Sequence, residues 1–353
     1  LLASYVLITM GGKKTQLRES IKYITINVLS SWIFLVAIAY LYGTLGTLNF
    51  AHLSERIAES GQTPLLTLIS ILFLIVFSLK AGLLLYQWLP GSYSAPPPAI
   101  AALFGALLTK VGIYAMFRVF TLLFYHEPSV THTLIGIMAG LTLIGGSIGA
   151  IAYQDIRQIV SYNVVIAVGF ILVGLAVSTT TAFEGAIYYL IHDMIVKALL
   201  FLLVGTMIFL SGSPQINRMS GLIRNYPLLG WLFFIVMLSL AGIPPFSGFL
   251  GKVLVGQGAI ESEAYILLAL SFISTIFVLY SLLRIFMNCF WGESIISEED
   301  EQPMKKGWIT PCVLLAIATI GLGVGSEGLS IYVIDAANTL SNPSVYIDAV
   351  LYD

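Results

Sequence analysis

Charged side chains are scarce in this sequence of 353 residues: they make up 10% of it, whereas a soluble domain usually carries about 25%. The 16 Lys and Arg residues nearly balance the 18 Asp and Glu residues. Basic blocks are absent, which argues against a nucleic-acid partner. The two cysteines, Cys289 and Cys312, belong to no CxxC or Cys/His cluster. A disulfide framework, a metal site and an iron–sulfur cofactor are therefore not indicated.

Hydrophobic residues, in contrast, form 58% of the chain, and the mean hydropathy is +0.95. The pattern predicts an all-α, polytopic transmembrane helix bundle, because a chain in lipid must satisfy its backbone hydrogen bonds internally. Nine apolar segments are long enough to cross a bilayer: 21–43, 64–88, 98–118, 130–151, 158–178, 184–210, 228–250, 264–290 and 309–334. The apolar residues 1–10 are too few for a helix that needs about 20. We expect them to be the end of a span whose beginning is missing, and the chain to be a fragment.

The basic residues outside the spans predict the orientation. With these spans, ten of them fall on one side of the membrane: Lys13, Lys14, Arg18, Lys22, Arg157, Arg218, Arg224, Arg284, Lys305 and Lys306. Only Arg56 and Arg118 fall on the other side. Because cytoplasmic loops carry the excess of Lys and Arg, the first side is predicted to be cytoplasmic and the C-terminus to be outside.

Four lysines remain, and all lie inside or at the inner end of an apolar span: Lys80, Lys110, Lys197 and Lys252. A lysine at the bilayer centre costs about 2.5–3.5 kcal/mol on insertion scales. An amine in apolar surroundings also gives up its proton more readily, so a row of such groups can relay protons. The alternative is that each side chain reaches the headgroups. That alternative suits Lys252, which is nearer a boundary, better than Lys80 or Lys110.

A third feature is the run from His192 to Lys197 within one span. Asp193 and Lys197 are four residues apart, so they share a helix face and can form an ion pair. His192 can hold or release a proton in the physiological range. The alternative is a static ion pair beside a neutral, hydrogen-bonded histidine. The remaining histidines are expected in or beside loops, as surface residues: His52, His126 and His132.

Two spans contain helix-breaking residues. In the stretch 240–252 these are Gly242, Pro244, Pro245, Gly248 and Gly251. A matching break is expected at Gly82, just after Lys80. Broken helices at membrane depth occur where the backbone is buried in protein or lines a wet cavity, often at ion sites in matching positions of two halves. A simple proline kink is the alternative for the first stretch. Small residues at Gly136/Gly140 and Gly145/Gly149 are typical of packing faces.

The segments around Lys80, Lys110, His192 to Lys197 and GIPPFSGFLGK (242–252) together resemble the antiporter-like membrane subunits of respiratory complex I and its relatives. QDIRQIVSYNVVIAVGF (154–170) fits the same pattern. Three further stretches are most similar to D subunits of Mrp-type cation/proton antiporters: GGKKTQLRESIKY, GTLNFAHLSERI and WLPGSYSAPPPAIAALFGALLTKVGIYAMFR. The resemblance covers essentially the whole chain, and the order and spacing of the motifs carry it.

The resemblance implies fourteen spans built on two inverted five-helix repeats, each with one discontinuous helix. Residues 1–125 would be the remainder of the first repeat, 126–292 the second repeat, and 293–353 a cytoplasmic loop, the last span and an external tail. The family pairs the lysine that corresponds to Lys80 with a glutamate on the fifth span, which is expected upstream of Leu1. Many relatives have prolines after that lysine, whereas this chain has Ala81 and Gly82.

The resemblance also implies a function. It predicts a plasma-membrane subunit that conducts protons along Lys80, Lys110, the His192/Lys197 region and Lys252, in exchange for a monovalent cation, with Na⁺ favoured. Asp193 is a possible cation site, and the partners would be other membrane subunits. One alternative is a proton-pumping subunit of a NADH–quinone oxidoreductase-type complex. Others are a structural scaffold and a lipid-modifying enzyme, which the scarcity of midspan acids disfavours.

Overall fold

Long apolar helices make up most of the protein, as a computed structural model that describes residues 2–61, 63–294 and 303–352 shows. The first eight helices are α1 (Leu2–Thr9), α2 (Lys14–Leu45), α3 (Phe50–Ser60), α4 (Pro64–Ala81), α5 (Leu89–Ser94), α6 (Pro98–Leu122), α7 (Pro128–Ala152) and α8 (Ile156–Val177). The remaining helices are α9 (Thr180–Ser211), α10 (Leu222–Asn225), α11 (Pro227–Ala241), α12 (Gly248–Glu261), α13 (Tyr265–Phe290), α14 (Lys306–Val324), α15 (Ser326–Ser341) and α16 (Pro343–Leu351). A short 3₁₀ helix, Ile216–Arg218, precedes α10.

Within the described residues, eight helices are long and apolar enough to cross a membrane: α2, α4, α6, α7, α8, α9, α13 and α14. The seventh predicted span, 228–250, is divided between α11, which is apolar but only 15 residues long, and α12. The predicted fold class, a polytopic α-helical bundle with discontinuous helices, is thereby confirmed.

The prediction of one continuous span over 309–334 was wrong. Helix α14 ends at Val324, and α15 begins at Ser326, after Gly325. The hydropathy of the segment could not show this boundary, because apolar residues continue across it. The two helices together follow the length of α9: Trp308 packs on Phe209, and Ser341 hydrogen-bonds to Thr180 at the other end.

The connections between helices gather at two opposite ends of the bundle. At one end an isolated bridge pairs Asp155 with Gln215, and the Gly221 amide donates to the carbonyl of Trp291. The predicted cytoplasmic basic residues stand on connections or helix ends of this group. The acidic residues Glu298, Glu299, Asp300 and Glu301 of the 292–308 loop lie outside the described residues.

At the opposite end, α16 packs on the short surface helix α3. The Tyr352 hydroxyl donates to Glu55 Oε1 over 2.9 Å, and the Arg118 guanidinium lies 4.1 Å from the centre of the Tyr346 ring. The hydrogen bond to Glu55 raises the pKa of Tyr352 above its ordinary value. These contacts attach the end of the described chain to its first half.

Helix α9 occupies the centre of the bundle, where it contacts α6, α8, α11, α12, α14 and α15. The Thr179 side chain accepts from the Ala182 amide and begins the helix, and Gly212, in the left-handed conformation, ends it. A hydroxyl N-cap and a C-terminal glycine satisfy orphan backbone groups at the two ends. Polar side chains near the middle of α9 are consequently enclosed by protein rather than by lipid.

The first discontinuity separates α4 from α5. Helix α4 ends at Ala81, and Gly82 takes the left-handed conformation with φ 78°. The Trp88 indole N–H donates to the Leu79 carbonyl over 2.9 Å, across the non-helical stretch between the two helices. This bond satisfies a backbone oxygen that helix α4 leaves free where it ends, as burial at membrane depth requires.

The second discontinuity separates α11 from α12. Helix α11 ends at Ala241, Gly242 is left-handed with φ 77°, and the Pro244–Pro245 peptide bond is cis. Helix α14 covers this stretch so closely that a Cβ added at Gly323 would overlap the Pro245 carbonyl. Helix α14 therefore packs on one side of the interruption, while Ile243, Pro244 and Pro245 remain exposed.

The glycines on the packing faces of α7 contact different neighbouring residues. Gly136 and Gly140 face leucines of α13, whereas Gly145 makes room for the hydroxyl of Tyr86.

The prediction that His132 is a surface residue was wrong: it lies in α7, 7% exposed, 3.0 Å from the Thr131 hydroxyl. His132 lies in the first turns of α7, among the residues of that helix that are buried by packing in the bundle.

Candidate functional site

Three ionisable side chains of the candidate site come from the middle of α9. His192, Asp193 and Lys197 are each no more than 1% exposed. The four-residue spacing places Asp193 and Lys197 on one face, and their nearest atoms, Nζ and Oδ1, are 3.7 Å apart. His192 projects from the helix beside them, toward α12. The centre of the bundle therefore contains an uncommonly polar segment.

The shorter ion pair of Asp193 reaches a different helix. Lys110 Nζ, from α6, lies 2.6 Å from Asp193 Oδ2 and also donates to the Gly105 carbonyl over 2.8 Å. One buried carboxylate thus stands between two buried ammonium groups. When either lysine gives up its proton, the remaining carboxylate and ammonium form a neutral pair. The cluster is therefore suited to releasing and accepting one proton while it stays paired.

His192 joins α9 to the second discontinuity. Its Nδ1 lies 2.7 Å from the Ser247 hydroxyl, one residue before α12 begins. Its Nε2 is buried without a hydrogen-bond partner among the described residues and faces Gly248, where an added Cβ would stand 2.9 Å away. An imidazole with one nitrogen hydrogen-bonded and the other unoccupied can accept a proton from a mobile water.

Lys252 stands on α12 and reaches back over the same discontinuity. Its Nζ donates to the Leu240 carbonyl over 2.7 Å, and it lies 5.9 Å from the centre of the Tyr189 ring. The ammonium therefore satisfies a carbonyl near the end of α11. Lys252 is partly exposed and lines a cavity of about 140 Å³, which the hydroxyl-bearing residues Ser271 and Thr275 also line.

Lys80 is placed in the last turn of α4, directly before the first discontinuity. Among the described residues its partly exposed ammonium has no hydrogen-bond or ion-pair partner. Helix α6 approaches closely here: a Cβ added at Gly112 would stand 2.6 Å from the Ala81 amide nitrogen. The backbone next to Lys80 therefore lies against Gly112, which is two residues after Lys110 on α6.

A cleft of about 570 Å³ opens at the end of the bundle that carries the basic connections. Gln16, Glu19 and Arg157 line it together with Tyr93 and Phe201. The Phe201 ring packs so closely on Gly105 that a Cβ there would overlap it. The Phe201 ring therefore both lines the cleft and packs on Gly105, whose carbonyl accepts from Lys110.

The structure brings Lys110, Asp193 and Lys197 into one cluster and places His192 and Lys252 at the second discontinuity. Sequence reasoning did not foresee Ser247 or the pairing of Lys110 with Asp193. The position of Ser247 within GIPPFSGFLGK was a usable signal, whereas no local pattern relates α6 to α9. Among the described residues, no group of three or more His, Cys, Asp or Glu side chains could hold a metal ion.

The relatives found by comparison with known proteins agree with one another. Residues 1–278 match the family model described as NADH:quinone oxidoreductase/Mrp antiporter, transmembrane. The chain is 51% identical to the D subunit of the Na⁺/H⁺ antiporter of Bacillus subtilis (strain 168) over 352 residues, which cover 99% of this chain and 71% of that protein. It is 46% identical to the corresponding D subunit of the Na⁺/H⁺ antiporter of Alkalihalophilus pseudofirmus, with the same coverage.

Solved structures agree on the fold. A chain of the Mrp complex from Dietzia sp. DQ12-45-1b superposes with a TM-score of 0.91 at 29% identity, over 99% of this chain and 74% of that chain. A chain of the membrane-bound sulfane sulfur reductase, an archaeal respiratory membrane complex, also gives a TM-score of 0.91, at 25% identity over 99% of this chain and 71% of that chain.

Proposed function

The chain belongs to the NADH:quinone oxidoreductase/Mrp antiporter family of transmembrane proteins, and from this premise we propose that it is the proton-translocating subunit of a multisubunit Na⁺/H⁺ antiporter. It is a transport subunit rather than an enzyme. Its place is the plasma membrane, with the C-terminus outside. Its partners are other membrane subunits, as expected from relatives named as subunits of an antiporter.

The observation that carries this proposal is the buried cluster of Lys110, Asp193 and Lys197. It stands between two helix interruptions and has one carboxylate for two amines, with contacts of 2.6 and 3.7 Å. A structural ion pair needs only one cation. The second amine supplies a group that can change protonation without leaving a buried carboxylate unpaired, which a static scaffold does not need.

Protons move in steps along a row formed by Lys80, the Lys110 cluster, His192 and Lys252. Lys80, which lacks a partner among the described residues, changes its position between an upstream carboxylate and the Lys110 cluster. Its approach repels the Lys110 ammonium and favours transfer from the cluster toward His192, since neighbouring charges shift each other's proton affinity. Lys252 controls the last step, because its bond to the Leu240 carbonyl joins α12 to the end of α11.

The cation has one candidate carboxylate in this chain, Asp193, and the partner subunits offer other routes. Asp193 already forms an ion pair with Lys110 at 2.6 Å, so a cation would have to displace that ammonium. Such competition would couple the two ions directly, because a bound Na⁺ would release a proton from the cluster. The relatives named as Na⁺/H⁺ antiporter subunits favour Na⁺ as the exchanged cation.

A second candidate function is a proton-pumping membrane subunit of a redox complex. It is supported by the superposition on a chain of a respiratory membrane complex, with a TM-score of 0.91. The identity of 25% in that comparison, against 51% to the D subunit of an antiporter, favours the antiporter.

The test uses everted membrane vesicles that contain the full-length chain with its companion subunits. A proton gradient is imposed, Na⁺ is added, and dissipation of the gradient is followed. Wild-type vesicles should respond promptly, the Lys80→Ala and Lys110→Ala variants should not, and Lys306→Ala, which removes an exposed lysine, should respond as wild type. Full transport in both charge-removing variants at normal abundance would refute the relay. Proton pumping driven only by quinone reduction would favour the redox complex.

A further inference from the structure

The non-helical stretch between α4 and α5, which begins two residues after Lys80, depends on one hydroxyl group of another helix. We propose that Thr142, on α7, is a positioning residue for Lys80: its hydroxyl fixes the interruption and so determines where the Lys80 ammonium stands in the row. The inference rests on the proposed function, since it concerns the efficiency of the Lys80 step. It concerns a residue that carries no charge and exchanges no proton.

The first argument is the backbone itself. Leu84, in this stretch, has φ 58°, a conformation that is strained for a side chain other than glycine. Such a conformation persists only where the surroundings over-determine it. The Leu84 amide lies outside the helices and donates to Thr142 Oγ1, 2.8 Å away. The hydroxyl is therefore the group that compensates the strained residue.

The second argument is the hydrogen bonding of Thr142. Its hydroxyl donates to the Met138 carbonyl over 2.6 Å, within α7, so its proton is already used and its lone pair faces Leu84. Thr142 is fully buried, so water cannot replace it without a rearrangement. Serine can make both bonds, whereas valine has the same shape as threonine and can make neither. This difference provides the test.

The third argument is steric. One turn along α7 from Thr142, Gly145 leaves space for the Tyr86 hydroxyl, so a second residue of the same stretch is seated on the same helix. On the other side, Gly112 of α6 lies against the backbone of Ala81. The stretch after Lys80 is thus held between α6, which carries Lys110, and α7, which begins the second predicted repeat. A shift of α7 would move Lys80 relative to Lys110.

The matched variants are Thr142→Val, Thr142→Ser and Thr319→Val. Thr319 is the control, because it is also fully buried and its hydroxyl only donates to a carbonyl four residues earlier, that of Leu315. In reconstituted vesicles with equal amounts of complex, Thr142→Val should lower the maximal rate of Na⁺-driven proton movement about tenfold, with an unchanged apparent affinity for Na⁺. Thr142→Ser and Thr319→Val should retain the wild-type rate.

A second readout does not depend on transport. In a Lys80→Cys background, the rate of reaction of the thiol with a small methanethiosulfonate should change severalfold when Thr142 is replaced by valine and should be unchanged with serine. A wild-type transport rate and an unchanged thiol rate in Thr142→Val overturn the inference, as does an equal loss of transport in the serine variant. If Lys80→Ala itself transports normally, the proposed function fails, whatever the thiol rates show.

Discussion

Asp193 illustrates what the sequence reveals about a single residue and what it hides. Its spacing from Lys197 predicted a pair within one helix, and the two side chains do lie 3.7 Å apart. Its shorter contact, 2.6 Å to Lys110, joins residues 83 positions apart. Local periodicity carries no information about such a contact, because it arises from the packing of α6 on α9. A carboxylate in the middle of a span indicates a partner without identifying it.

The first prediction concerns this carboxylate. Asp193→Asn leaves two buried ammonium groups without an anion, and breaking a buried ion pair costs about 3–5 kcal/mol. We therefore expect a lower unfolding temperature and no transport. The double variant Asp193→Asn/Lys110→Met should recover part of the stability and none of the transport, because the excess charge is removed together with the relay. Thermal unfolding of the purified protein and vesicle transport measure the two effects.

The control is Asp335→Asn, which alters an exposed carboxylate on α15 and should leave both properties unchanged. Additive effects of Asp193→Asn and Lys110→Met on stability would contradict the pairing, since residues in contact should show a coupling energy.

At the scale of elements, the two discontinuities show why local chemistry was informative. Helices α4 and α11 both end at a residue followed by a left-handed glycine, Gly82 or Gly242. Glycine and proline act through their own backbone, so their positions in the sequence predict where a helix stops. The groups that hold each interruption were not predictable. The Trp88 indole and the Lys252 ammonium donate hydrogen bonds to carbonyl groups at these interruptions only because the chain folds back on itself.

Helix α12 offers a matched pair of glycines for a second prediction. At Gly248 an added Cβ would overlap the Ser239 carbonyl and press on the His192 ring, whereas at Gly256 it would meet only the Leu268 side chain at 3.6 Å and the Phe272 ring just beyond it. Gly248→Ala should destabilise the protein by about 1–3 kcal/mol through overpacking, and it should lower transport by displacing His192. Gly256→Ala should be neutral or gain up to about 1 kcal/mol, since alanine favours helix.

The measurement compares thermal unfolding and transport for the two variants at equal abundance. Equal behaviour of the two alanine variants would contradict the close contact of α12 with α11 and α9. A selective loss of transport in Gly248→Ala, with normal stability, would still agree with displacement of the imidazole.

At the scale of the whole molecule, alternating apolar segments and the bias of Lys and Arg predicted how the chain is threaded. The connections that gather at one end of the bundle are those with the excess of basic residues, and the other end has Arg56 and Arg118. The division of the last predicted span into α14 and α15 could not be predicted, because hydropathy is averaged over a window and does not register a helix boundary at the single residue Gly325.

The orientation of the two ends in the membrane is the last prediction. In a background in which the buried Cys289 and Cys312 are replaced by alanine, single cysteines are introduced at four exposed sites: Ser60, Ser344, Thr15 and Asn217. The first two stand at the end with few basic residues, the last two at the basic end. None of these changes alters the charge that sets the orientation.

A membrane-impermeant maleimide added to intact cells should label positions 60 and 344, and it should label 15 and 217 only in everted vesicles. Labelling of 15 and 217 from outside would contradict the predicted topology and place the cleft lined by Gln16 and Arg157 on the outer side of the membrane.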